Sequence, residues 1–136
     1  MQLDPQRVRF KGKAILVAMR CGASLSSPEA GPFFENLYLA WQAANLPLEA
    51  AERWLGDRMP AEFKSLGEPP SWVEEEPAWA FLSDRPMVFL TQCSMDVNNR
   101  SASDLSPGET VYLFGLRQVD GELSRMVYRT ISQFVD

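Results

Sequence analysis

Residues 110–119 read TVYLFGLRQV, residues 120–121 read DG, and residues 122–131 read ELSRMVYRTI. Two β-rich runs joined by Asp-Gly are a strong short-range hairpin signal, because both residues tolerate the left-handed backbone a type I′ turn needs. In the second run Met126, Tyr128 and Thr130 alternate with Val127, Arg129 and Ile131, so one face of the ribbon is wetter than the other. An antiparallel hairpin near the C-terminal end thus sets the fold class.

Upstream of it, residues 98–108 form a polar loop, and the run PMVFLTQC (86–93) is the best candidate for a central strand. The stretch leading into that run, GEPPSWVEEEPAWAFLSDRPMVFLTQ (67–92), is the most unusual in the chain. It packs two tryptophans, four prolines and three consecutive glutamates into a loop. Pro69 and Pro70 enforce extended backbone, so Ser71-Trp72-Val73 is expected as a short edge strand.

The first half reads differently. Phe33, Phe34, Leu37, Tyr38, Trp41 and Ala44 recur at spacings of three and four, one apolar stripe of a helix. Pro32 suits its first turn, and Asn45-Leu46-Pro47 ends it. A second helix follows Pro47 with Leu48, Ala51, Trp54 and Leu55 on one face and Gly56 as its cap. A short third helix is expected over 61–66, between Pro60 and Gly67. Residues 7–20 read as one strand, or two broken at Gly12, on their β-branched content and the alternation Val8-Arg9-Phe10-Lys11. The expectation is one α+β domain over residues 1–136: N-terminal strands, two to three helices, then an antiparallel sheet ending in the C-terminal hairpin.

Composition narrows the function classes. The 136 residues are 46% apolar and 23% charged, a globular balance. Thirteen basic against eighteen acidic residues give a net charge of −5, which argues against nonspecific nucleic-acid binding. The apolar run Ala14–Met19 is far shorter than the roughly 20 residues a membrane span requires, and short for a signal peptide, so a cytoplasmic protein without membrane association is expected. Cys21 and Cys93 belong to no CxxC pattern and read as free, largely buried thiols, with a disulfide between them as the alternative that spacing leaves open.

There is no histidine. That removes the usual general base at neutral pH and every histidine-dependent triad, leaving Cys21, Cys93 and the serines without an activating partner. The phosphate-binding and nucleophile-elbow motifs are also missing from the sequence. Paired-carboxylate chemistry would draw on Glu68, Glu74, Glu75, Glu76, Asp84 or Asp96, but Asp84–Arg85 and Asp96–Arg100 read more simply as turn ion pairs. The expectation is a protein that is not an enzyme and needs no cofactor or metal.

The loop offers a binding reading instead. Glu74-Glu75-Glu76 is a solvated acidic run or a contact for a basic partner, since adjacent residues of an extended chain point to opposite sides and do not converge on a metal. Trp72 and Trp79 bracket it, either as core anchors or as the rigid aromatics that dominate interface energetics. Trp72, Glu74, Glu75, Glu76 and Trp79 are therefore the candidate partner-binding residues.

Gly67-Glu68-Pro69-Pro70-Ser71-Trp72-Val73, followed by Pro86-Met87-Val88-Phe89-Leu90-Thr91-Gln92 and then Val111-Tyr112-Leu113-Phe114, resembles the bacterial YwqG-like family of unknown biochemical function. Its members place a glycine and a proline with a nearby tryptophan before a strand of the pattern glycine-x-proline-[Met/Leu]-x-Phe-[Leu/Ile]-x-Gln. Here Asp84-Arg85 precede Pro86, so the expected glycine is missing. The resemblance covers about residues 67–114 and implies a small cytoplasmic β-rich module of the kind found among immunity proteins of bacterial toxin systems. The expected function is an immunity-type protein that neutralises a toxin, a basic one suiting its acidity, by stoichiometric binding. The alternatives are a small-molecule or regulatory domain with a pocket between the helical layer and the sheet, lined by Trp41, Trp54 and strand residues, and an acidic secretion chaperone. Neither the partner nor the oligomeric state is legible.

Overall fold

Residues 5–20 form a helix, not strands. The computed structural model describes residues 4–94 and 106–135, and in it helix α1 spans Pro5–Arg20. The Asp4 carboxylate caps it by accepting the Gln6 backbone N–H at 3.1 Å, and Pro5 fills the first turn. Its buried residues Phe10, Ala14, Val17 and Ala18 follow the i, i+4, i+7, i+8 pattern of one helix face. Gly22, at φ 77°, closes it: the Gly22 N–H reaches the Met19 carbonyl at 3.0 Å and the Ala23 N–H reaches Ala18 at 2.9 Å. The alternation Val8-Arg9-Phe10-Lys11 that suggests a strand covers barely one helical turn, and a cap plus a long apolar face outweigh it.

Helix α2 (Gly31–Ala44) is the helix the aromatic stripe predicts, burying Phe33, Phe34, Leu37, Tyr38 and Trp41 and ending on Asn45 in the left-handed region. Helix α3 (Ala51–Glu62) runs through both Gly56 and Pro60. Pro60 withdraws the N–H that would bond the Gly56 carbonyl. Both residues are exposed, so water can serve that carbonyl, while Ala51, Leu55 and Met59 carry the buried face past them. The separate helix expected over 61–66 is therefore absent. Residues 64–66 instead run alongside the sheet, with the Phe89 N–H on the Lys64 carbonyl at 2.9 Å and the Leu66 N–H on the Phe89 carbonyl at 2.8 Å.

The second half is antiparallel sheet, and the fold is α+β. A small hairpin pairs β1 (Phe81–Leu82) with β2 (Arg85–Pro86). A three-stranded sheet has the order β3 (Val88–Ser94), β4 (Glu109–Asp120), β5 (Leu123–Phe134). The centre is β4, so the 86–93 run supplies an outer strand, with an irregularity between Phe89 and Thr91. The predicted hairpin forms, one residue later than Asp-Gly suggests: Asp120 faces Leu123, and Gly121-Glu122 make the turn. Only Gly121 of that pair has positive φ (63°), the type II′ pattern rather than type I′. The 98–108 loop lies mostly outside the described residues, as do Asp96 and Arg100.

Alternation along β4 turns Thr110, Tyr112, Phe114 and Leu116 toward the helices. The aromatic rings continue across this boundary: Phe63 stands edge-on to Trp79 and Phe33, and Trp79 edge-on to Phe114. A second ring cluster lies within the helical layer, where Phe10 packs against Phe34, Tyr38, Trp41 and Trp54. On the opposite sheet face Leu90, Met126 and Tyr128 close over Gly115, where a β-carbon would sit 2.9 Å from the Leu90 methyl. No helix among the described residues is long and apolar enough to cross a membrane.

Burial raises the ionisation of Cys21, Tyr38 and Tyr112 above their ordinary values of 9.0, 10.0 and 10.0. At Tyr38 the Asp4 carboxylate adds to this, accepting the phenol proton at 3.0 Å. The folded chain holds these protons longer than the unfolded chain does. Stability should therefore fall as pH rises through the ordinary values, and go on falling until the folded groups ionise too. A lower urea midpoint at pH about 10.5 than at pH about 8 is expected; an unchanged midpoint would contradict burial of these groups.

Candidate functional site

The acidic loop is held by its backbone. Gln133, on the helix-facing side of β5, is only 4% exposed. Its Oε1 accepts the Val73 N–H at 3.0 Å and the Glu74 N–H at 3.1 Å, and its Nε2 donates to the Glu76 carbonyl at 3.0 Å. The Tyr112 hydroxyl donates to the Ser71 carbonyl at 2.8 Å and accepts the Val73 N–H at 3.1 Å. From the other side the Gln92 amide accepts the Ser71 N–H at 2.8 Å and donates to the Ser71 carbonyl at 3.4 Å. The Trp72 indole N–H donates to the Gly22 carbonyl at 2.6 Å, and its ring lies 4.4 Å from that of Tyr112.

Residues 71–73 are thus not the edge strand the sequence suggests. Pro69 and Pro70 have no N–H to offer a ladder, and two glutamine amides and a phenol satisfy the backbone instead. This clamp is not legible in the sequence, where the strand pattern is clear only as far as Ile131. Continuing its alternation two residues would have put Gln133 on the buried face, where a polar group must find partners.

The five candidate residues separate into three roles. Trp79 is 4% exposed, donates its indole N–H to the Met87 carbonyl at 2.8 Å, and packs on Phe63 and Phe114. It anchors the core and is not available to a partner. Trp72 is half-buried and ties the loop to the end of α1. Glu74 is exposed, but its carboxylate accepts the Phe134 N–H at 3.0 Å. Glu75 and Glu76 remain exposed, in no ion pair among the described residues.

Apolar side chains that sequence reasoning missed lie beside these glutamates. Val73, Phe134 and Val135 are all exposed, Phe134 and Val135 each at 50%. With Glu74, Glu75 and Glu76 they line an open recess of about 590 Å³. A small apolar centre edged by carboxylates is chemically suited to a protein surface bearing lysine or arginine around an apolar side chain.

The other readings fare differently. The surroundings of Trp41 and Trp54 are packed and hold no pocket: Trp41 stacks on Phe10 at 4.8 Å, and Arg58 covers Trp54 at 4.6 Å. An open groove of about 310 Å³ does lie between helices and sheet, lined by α2, α3, the β1–β2 turn, Val88 and Leu116, with Arg58, Glu62, Lys64, Asp84 and Arg85 around it. Asp84 does not pair with Arg85; it accepts the Asn36 amide at 2.6 Å. Both cysteines are free, Cys21 half-buried and Cys93 exposed rather than buried. Burial keeps the Cys21 thiol protonated, against what a nucleophile needs. Among the described residues no three His, Cys, Asp or Glu side chains gather as a metal site would require. Comparison with known protein families, with curated proteins and with solved structures found no match to this chain.

Proposed function

We propose that this chain is a cytoplasmic protein-binding module of the immunity type, which neutralises a basic bacterial toxin by occluding it. One observation carries the reading: Gln133 holds the backbone of the acidic turn at Glu74 and Glu76, Tyr112 and Gln92 pin the residues leading into it, and Glu75, Glu76 and three apolar side chains beside it stay exposed. Preorganisation of this kind lowers the ordering cost of association, and exposed carboxylates speed encounter with a cationic surface. The resemblance to YwqG-like sequences belongs to the same proposal.

The test reverses Glu75 and Glu76 together and spares Glu74, whose carboxylate has a structural partner. Stability of the double variant E75K/E76K should stay within about 0.5 kcal/mol of the parent, because neither side chain is committed to the fold. A protein retained by the parent chain at near-equal stoichiometry should bind the variant about ten- to a hundredfold more weakly, with a shallower salt dependence. Equal retention by both chains, with equal salt dependence, would remove this surface from the assignment.

A further inference from the structure

The two outer strands of the sheet are finished differently. The β3 edge is broken by its irregularity and is met at Phe89 by residues 64–66. The β5 edge has no such cover: among the described residues no strand pairs with it, and over 123–134 it has neither proline nor lysine and no bulge. Proteins ordinarily blunt an edge of this length.

Its register defines which backbone groups are free. Asp120 and Leu123 flank a two-residue turn and exchange ladder bonds, so the odd-numbered residues of β5 point their N–H and C=O groups at β4. The even-numbered residues point theirs outward. The Val135 N–H, on the inward phase, accordingly reaches the Gly108 carbonyl, and the outward Phe134 N–H is met by Glu74. With Phe134 capped at one end and the turn at the other, the open edge consists of Ser124, Met126, Tyr128, Thr130 and Ser132. Tyr128 is its midpoint and is 57% exposed.

We propose that β5 pairs antiparallel with β5 of a second copy of this chain, about a two-fold axis at Tyr128, making one continuous six-stranded sheet. This register alone uses all five open positions: Ser124 faces Ser132 of the second copy, Met126 faces Thr130, and Tyr128 faces itself. It also fits the charges. Arg125 comes opposite Ile131 and Arg129 opposite Val127, so no arginine directly faces another. Sliding the pairing by one step either way, while keeping outward groups paired, sets Arg129 against Arg129 or against Arg125, and like charges directly opposite are unfavourable. Self-pairing also brings together the Met126 and Tyr128 side chains of both copies on the sheet face that no helix covers among the described residues.

Sedimentation equilibrium from micromolar to millimolar concentration should show a reversible monomer–dimer equilibrium. Thr130→Pro removes an outward N–H that makes no bond to β4, so it should raise the dimer dissociation constant at least about tenfold without changing the circular dichroism. Directly opposed outward residues would have Cα atoms about 5.5 Å apart, within disulfide range. In a Cys93→Ser background, Tyr128→Cys should thus oxidise to a covalent dimer, whereas Ser124→Cys, facing Ser132, should not. A chain monomeric throughout the range would overturn the proposal and leave the edge to an extended segment of another protein. A dimer indifferent to Thr130→Pro, or equal cross-linking at 124 and 128, would overturn it as well.

Discussion

Replacing Phe10 by alanine is expected to cost about 3–5 kcal/mol, the range for a fully buried aromatic ring. Phe10 has no exposed surface and is the ring through which α1 meets the other helices, lying 4.8 Å from Trp41, 5.3 Å from Tyr38 and 5.9 Å from Phe34. Truncation leaves a cavity walled by rigid rings that cannot collapse into it. A domain of this size has about 5–15 kcal/mol in total, so the variant should lose much of its margin and melt many degrees lower. The control is Val8→Ala on the exposed face of the same helix, expected within about 0.5 kcal/mol. Similar costs at both positions would speak against the helical phase of α1.

Gln133→Ala is the second large effect, expected at about 2–3 kcal/mol. It removes one side chain but three bonds to the acidic loop, from the Val73 and Glu74 amides and to the Glu76 carbonyl. Part of the cost is recovered because the loop can turn those groups to water. The loop should pay most of the penalty in order: hydrogen exchange at Val73 and Glu74 should speed up far more than at the β4 and β5 ladder. Gln133→Glu separates the two halves of the clamp. It keeps an acceptor for the amides but sets a carboxylate oxygen against the Glu76 carbonyl, so protection at 73 and 74 should fall less while global stability still drops.

The chain announces its hairpin and its aromatic helix plainly, and the reasons are local. A turn glycine between two β-rich runs and six aromatic or apolar residues in helical phase each reveal their element within a dozen positions. The N-terminal segment misleads because Val8, Phe10, Ile15 and Val17 are good strand formers; what makes them helical is the Asp4 cap and the wall of rings waiting for Phe10. Gly56 and Pro60 mislead for the opposite reason. They are strong punctuation in isolation, but both are exposed and the buried row beside them is continuous. Of the candidate surface, the acidic charges were legible and their frame was not. Gln133 and Tyr112 lie 60 and 39 positions from Val73, and only the folded chain brings them there.

Every bond that Gln92, Tyr112 and Gln133 make to the loop ends on a main-chain atom: the amides of Ser71, Val73 and Glu74, the carbonyls of Ser71 and Glu76. A peptide group is the same whatever side chain it carries. The shape of the turn is therefore independent of what stands at 75 and 76, and those two positions can be rewritten while the frame that presents them is inherited unchanged. Under the proposed binding role, a lineage following a changing partner could exchange these two residues without having to refold around them.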